Sequence, residues 1–396
     1  MKNIPEFRID KWRSVAGALS LAELQALASA PGPDGAGAGD SSAGPVDPEL
    51  VLTYGDARGS HKLRARIAEL HSSPTVKLMA DNVVITPGSI MANYLALASL
   101  TGPGDHVICM YPTFSQLWTI PRFQGTEVSM WKLKLEDGTA WRLSLDELKG
   151  MIKENTKVII LNNPNNPTGA VLPESMLREL IALASERGIT LYSDEVFAPL
   201  FHTSDPPPPP LISLGYPNTV STGSMSKTIG LPGIRVGWVV SLDAAVIERI
   251  MTAHDYTTIA VSLLDDGVAA YALSSQVLPR LMTRSLAICA RSIAAIGAFV
   301  ARTAPRTTWV PPAGAGTAYV RILTQDGKEP VDDRDFVAGL VRKTGVSLVP
   351  GGFCFEDGDD GADAELKGYV RITLGNADES VLQEGLRAIE EFLKTY

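Results

Sequence analysis

Residues 157–197 read KVIILNNPNNPTGAVLPESMLRELIALASERGITLYSDEVF. Lys157–Leu161 is a short apolar run of strand length, closed by a cluster of turn-forming Asn, Pro and Gly. Glu174–Arg187 has helical periodicity, begins after Pro173 and stops at Gly188. Ile189–Ser193 is a second short strand, followed by Asp194-Glu195. Working outward, the alternation continues. Val83–Thr86, His106–Tyr111, Thr219–Thr222 and Ile234–Ser241 read as strands, and Gly88–Leu100 as a helix. Short apolar strands separated by helices predict an α/β fold whose mainly parallel sheet carries helices on both faces. Ligands of such sheets bind outside the carboxyl ends of the strands, so the residues at those ends decide the chemistry.

Bulk composition narrows the alternatives. The 396 residues are 45% hydrophobic and 20% charged, an ordinary globular balance in a chain long enough for more than one domain. A net charge of -9 without a basic block predicts neither a nucleic-acid nor a membrane partner. Cys109, Cys289 and Cys354 are widely spaced and lack metal-ligand spacing, so reduced thiols and no metal site are expected. The first eight residues mix charges and do not read as a secretory signal, and no uninterrupted apolar run is long enough to span a bilayer; a soluble, cytoplasmic protein is the expectation. Residues 31–48, rich in Gly, Ala, Ser and Pro, predict a mobile surface loop. Pro206–Pro210 predicts a stiff extended connection, and Glu356–Asp363 an acidic solvated loop.

Each strand end then contributes one element. Pro87-Gly88-Ser89-Ile90 opens a helix whose free N–H groups and dipole suit an anion, although the same start also serves as a plain cap. Tyr111-Pro112-Thr113-Phe114 offers an aromatic face for a flat ring, or a core residue. The run Asn162–Gly169 is a stiff turn that presents amide side chains. Asp194, a carboxylate in otherwise apolar surroundings, needs a partner such as a protonated ring nitrogen. Gly223-Ser224-Met225-Ser226-Lys227-Thr228, followed by Gly230, Pro232, Gly233 and Arg235, makes a tight hydroxyl-lined loop suited to a phosphate. Ser226 stands where a nucleotide P-loop needs Gly, and no Gly-x-Gly-x-x-Gly follows the first strand, so nucleotide sites are poorly supported. A phosphate cradle, an aromatic face, an amide, a carboxylate and a lysine together match the needs of a phosphorylated pyridinium aldehyde.

Asn162–Gly169, Ser193-Asp194-Glu195-Val196, Ser224-Met225-Ser226-Lys227 with Arg235, and Tyr369-Val370-Arg371-Ile372 closely resemble class I/II aminotransferases of pyridoxal-5′-phosphate (PLP) fold type I. The resemblance runs from about Tyr54 to the C-terminus. It implies a large domain over residues 50–299 with a mainly parallel seven-stranded sheet, and a smaller α+β domain from residues 1–49 and 300–396. By the same resemblance Lys227 holds PLP as a Schiff base and shuttles protons, and Asp194 pairs with the ring nitrogen. Asn166 donates to the phenolic oxygen beside the substrate, and Phe114 stacks on the ring. Gly88, Ser89, Ser224, Ser226 and Arg235, with the Ile90 N–H, hold the phosphate, and Arg371 forks onto the substrate α-carboxylate. Tyr54, in Tyr54-Gly55-Asp56-x-x-Gly59, would reach the phosphate of a neighbouring subunit, which implies a homodimer with shared active sites. Phe197 stands where the family usually has Tyr; without that hydroxyl the Schiff base is expected to stay protonated to higher pH.

The expected activity is amino-group transfer between an α-amino acid and a 2-oxo acid, with Lys227 moving the proton between Cα and C4′. Trp12, Ser20-Leu21, Thr222–Lys227 and His254-Asp255-Tyr256-x-x-Ile259 are similar to a subgroup containing capreomycidine-synthase-like cyclases and PLP-dependent arginine oxidases. That similarity implies the alternative of elimination, cyclisation or oxidation, with Asp255, Asp265 or Asp266 receiving a basic side chain, or the last two lying on a solvated helix face. A non-catalytic cofactor-binding regulator is a third reading, opposed by the presence of Lys227, Asp194 and Arg371 together.

Overall fold

The apolar strands assemble into one seven-stranded sheet: β1 (Val83–Thr86), β2 (His106–Tyr111), β3 (Glu127–Lys132), β4 (Thr156–Asn162), β5 (Thr190–Asp194), β6 (Thr219–Ser224) and β7 (Gly237–Ser241). The computed structural model describes residues 17–29, 44–204, 206–355, 366–375 and 378–396. Trp12, residues 31–43 of the expected mobile loop and the acidic 356–363 segment lie outside them. The strand order is β1-β7-β6-β5-β4-β2-β3, and β7 alone runs antiparallel to both neighbours. The sheet is therefore mainly parallel, as expected. Strand alternation sends Val84, Val107, Ile160 and Val239 to one face, against helices 89–100, 116–123 and 244–255. Val83, Ile85 and Val240 face the opposite way, against helices 61–70 and 263–272. Burial on both faces accounts for near-continuous apolar strands.

One strand starts later than its pattern suggested. The strand expected over Ile234–Ser241 begins at Gly237, because Pro232–Ile234 is a single 3-10 turn and Arg235 has a left-handed φ of 49° that breaks the extended path.

A second, antiparallel sheet joins β8 (Thr307–Trp309), β9 (Thr317–Ile322), β10 (Val349–Pro350) and β11 (Tyr369–Thr373) in the order β8-β9-β11-β10. Its core takes Val320, Phe336, Val370, Leu386 and Phe392, plus Cys289, Ile296 and Phe299 from helix 278–303. The N-terminal part of that same helix gives Leu281 to the core of the large sheet. The expected boundary at 299/300 thus falls inside one continuous helix of 26 residues, whose apolar stripe serves both cores. The N-terminal segment also touches both parts. Leu24 packs in the large-sheet core, while the Gly17 N–H donates to Gly375 O at 2.8 Å.

Beneath the large sheet lies a buried acid–imidazole pair. Glu195 Oε1 accepts from the Leu211 N–H at 2.9 Å, and its Oε2 is 3.7 Å from His71 Nδ1. Trp238 Nε1 donates to His71 Nε2 at 3.0 Å, which leaves the imidazole proton on Nδ1. Burial pushes His71 down to about 4 and Glu195 up to about 7. Between the unfolded values of 4.5 and 6.5 the folded pair holds one proton on Glu195, and the unfolded chain holds one on His71. The proton counts match, so the pair adds no pH slope to stability in that window. Glu195→Gln leaves His71 alone. A histidine with a depressed folded pKa contributes stability that is present above 6.5 and lost as pH falls toward about 4. The stability gap between variant and wild type should widen by about 2–3 kcal/mol from pH 6.5 to 4.5. Denaturant melts across this range test it; a constant gap would refute the buried, neutral state of both groups.

Candidate active site

The carboxyl ends of β1, β2, β4, β5 and β6 converge on a cavity of about 600 Å³. Ser89, Ile90, Phe114, Asn166, Asp194, Phe197, Ser226, Lys227, Arg235 and Arg371 line it, with Asn162, Val196, Pro232 and Gly233. The structure thus gathers ten of the residues singled out above from segments far apart in the chain.

At the floor, Asn162 and Asp194 end neighbouring parallel strands and are in register. Asp194 is 2% exposed. Its Oδ1 accepts from the Val196 N–H and its Oδ2 from Asn93 Nδ2, each at 3.2 Å. Burial nevertheless raises its pKa to about 6, so the carboxylate is set to gain from a cationic partner.

One corner is built for an anion. Gly88 has a φ of 79°, and a Cβ there would lie 2.6 Å from Arg235 Nη2. A Cβ on Gly237 would lie 2.4 Å from both Gly88 C and Ser89 N. Two glycines therefore let the guanidinium and the strand close in on the start of helix 89–100, which no side chain caps. Arg235 Nη1 donates to Pro232 O at 2.9 Å and to Ser226 Oγ at 3.4 Å.

Lys227 follows β6 and lines the cavity, its Nζ 5.9 Å from the Phe197 ring centre. Burial, helped by Arg371 and Arg235 and opposed by Asp194, lowers its pKa to about 8. An amine this easily deprotonated is a competent nucleophile near neutral pH.

Arg371 arrives from β11 of the second sheet. Its Nη1 donates to Asn166 Oδ1 at 3.0 Å, and its guanidinium sits 5.4 Å over the Phe355 ring. With Oδ1 engaged, the Asn166 amide has its Nδ2 left as a donor. The Asn-Pro turn is clamped from below: Asn166 N–H donates to Asn162 Oδ1 at 2.7 Å, and Asn162 Nδ2 donates to Asp194 O at 3.0 Å.

Three of the residues expected to hold the cofactor do not line the cavity. Gly88 forms the turn beside it. Ser224 turns its hydroxyl inward, accepting from the Ser226 N–H at 3.0 Å and donating to Val236 O at 3.3 Å, so it shapes the loop. Tyr54 is 81% exposed on the surface. Phe114 lies in the cavity wall, exposed there rather than packed in the core. Asp255, Asp265 and Asp266 are absent from the lining. Asp266 departs from the solvated reading: it is buried because the Ser60 N–H and hydroxyl donate to it at 2.9 and 2.5 Å. Asn93, which bonds Asp194, was not singled out. Its signal was its place one helical turn after Ser89.

A profile of the aminotransferase class I and II family matches residues 46–389. The chain belongs to this family. It is 30% identical to the capreomycidine synthase of Streptomyces vinaceus, over 88% of this chain and 82% of that one. A PLP-dependent aminotransferase from Streptococcus suis 89-1591 superposes with a TM-score of 0.82 at 31% identity, covering 98% of this chain and 93% of that one. The PLP-dependent cyclase OrfR superposes with a TM-score of 0.80 at 26% identity, covering 97% and 92%. The fold is that of PLP fold type I enzymes. The aminotransferase-family site also passes a chemical test on its own geometry: the anion corner suits a phosphate, and buried Asp194 suits a protonated ring nitrogen.

Proposed function

We propose that this enzyme transfers an amino group between an α-amino acid and a 2-oxo acid, with the chemistry centred on Lys227. The observation that carries this reading is the convergence of Lys227, Asp194 and Arg371, from three separate segments, on one cavity with an anion corner. Its cofactor is PLP, which supplies an electron sink for the bonds at the substrate Cα. Ser89, Ser226 and Arg235 bind the phosphate. Asp194 would keep the ring nitrogen protonated, Asn166 Nδ2 would donate to the phenolic oxygen, and Phe114 would cover the ring. Arg371 would orient the substrate by its α-carboxylate, and Lys227 would hold the cofactor and serve as the acid–base group at the substrate Cα. Tyr54, with Val51 and Leu52 each 74% exposed, supports a homodimer in which this segment meets the partner.

A second reading is a cyclase, oxidase or lyase outcome in specialised metabolism. Phe197 favours it. This side chain is 2% exposed in the cavity wall and brings no hydroxyl to the ring. Phe197→Tyr is expected to lower the pKa of the visible transition of the PLP-loaded protein by about one unit, through a new hydrogen bond to the phenolate. An unchanged absorbance titration would contradict that account.

The two readings separate on products. The purified enzyme should be incubated with single amino acids, with and without 2-oxoglutarate, and every product identified by mass. Transfer predicts a 2-oxo acid from the donor and glutamate from the acceptor in equal amounts. Ammonia, peroxide or a cyclic amino acid without glutamate would overturn it in favour of the second reading.

A further inference from the structure

We infer that Asn93 is a positioning residue that holds the Asp194 carboxylate in its charged, ring-facing state. The inference rests on the reading of Asp194 as partner of the ring nitrogen. Asn93 is 1% exposed and lies on helix 89–100. Its Nδ2 is 3.2 Å from Asp194 Oδ2 and 3.3 Å from Gln116 Oε1. Its Oδ1 accepts from the Tyr192 hydroxyl at 2.7 Å and the Thr222 hydroxyl at 2.9 Å.

These bonds admit one orientation of the amide. An ionised carboxylate only accepts, so Nδ2 must face Asp194; a flipped amide would set oxygen against oxygen. The hydroxyls of Tyr192 and Thr222 then both donate to Oδ1. Backbone regularity supplies the placement. Tyr192 and Asp194 alternate onto the same face of β5, and Thr222 is the registered neighbour of Asp194 on β6. A charge buried this deeply keeps its ionised form only while donors face it.

The helix adds a second role. Ser89, at the anion corner, and Asn93 share one helix face, separated by about 6 Å of helical rise. One rigid element therefore fixes both the phosphate site and the carboxylate that meets the ring nitrogen.

The test compares PLP with its 1-deaza analogue, which has carbon in place of the ring nitrogen. Dissociation constants for both, and the pH titration of the visible band, would be measured for wild type, Asn93→Leu, Tyr192→Phe and Asp194→Asn. Asn93→Leu should weaken PLP binding by about 10- to 100-fold, the weight of a hydrogen bond to a charged group. It should leave the deaza analogue little affected, and shift the pH titration. Tyr192→Phe, a gentler change, should move both readouts the same way by a smaller factor. Equal losses for PLP and analogue in both variants would mean that Asn93 merely supports the fold, and no loss at all would equally overturn the inference. If Asp194→Asn also fails to separate PLP from the analogue, the reading of Asp194 itself falls; if it separates them and Asn93→Leu does not, the inference alone falls.

Discussion

Lys227→Ala should abolish the visible absorbance of the PLP-loaded protein and cut turnover by on the order of 10⁴-fold or more. Among the described residues, Lys227 is the one lysine that lines the cavity, so none of them offers a neighbouring amine to replace it. Its environment is tuned for condensation. With its pKa lowered from 10.5 to about 8, about a quarter of the amine is neutral at pH 7.5, against about a thousandth for an ordinary lysine. Capture of PLP by cofactor-free protein should therefore accelerate with pH and level off just above 8, followed as growth of the visible band. Borohydride reduction and peptide mass mapping give the decisive readout. A phosphopyridoxyl group on a different lysine, or a stable band in the alanine variant, would remove the central assignment.

Gly237→Ala is the second large effect, and it contains no catalytic group. The added methyl would lie 2.4 Å from Gly88 C and Ser89 N and 2.9 Å from Gly88 O. All three are backbone atoms, so no side chain can swing away. Either β7 shifts outward or the turn at the head of helix 89–100 moves, and both spoil the anion corner. PLP binding should weaken by about 100-fold or more, and overpacking of this kind costs about 1–3 kcal/mol of stability. Gly385→Ala is the control: its Cβ meets nothing within 4 Å, and it sits inside helix 379–393. There alanine should match wild type in PLP binding and raise stability by up to about 1 kcal/mol. Wild-type PLP affinity in Gly237→Ala, measured by fluorescence titration, would show that the close approach is unimportant.

Much of this architecture was legible because strands buried on both faces leave continuous apolar runs, and because the residues after such runs are chemically conspicuous. Asp194, Lys227 and the Asn162–Gly169 turn each follow a run of that kind, and they meet in the cavity. Reading failed where backbone geometry overrode composition. Arg235 sits in an apolar stretch that looks extended, yet its left-handed conformation ends the strand pattern at that point. Residues acting through other residues were equally hard to see. Asn93 looks like a stray polar residue on an apolar helix until Tyr192, Thr222 and Asp194 close around it. Asp266 looked solvated on charge alone, whereas Ser60, distant in sequence, covers it. The domain boundary was obscured for a related reason: an amphipathic repeat records that helix 278–303 has a buried stripe, but not that two different cores share it.

That shared helix has a mechanical corollary. A slack linker would let the sheet carrying Arg371 flap freely, but here any swing must tilt or bend a rod anchored at both ends. Opening and closing over a substrate is thus confined to a narrow arc about a stiff axle. The sheet that carries Arg371 and the half of the molecule that carries Lys227 are correspondingly expected to melt as one unit.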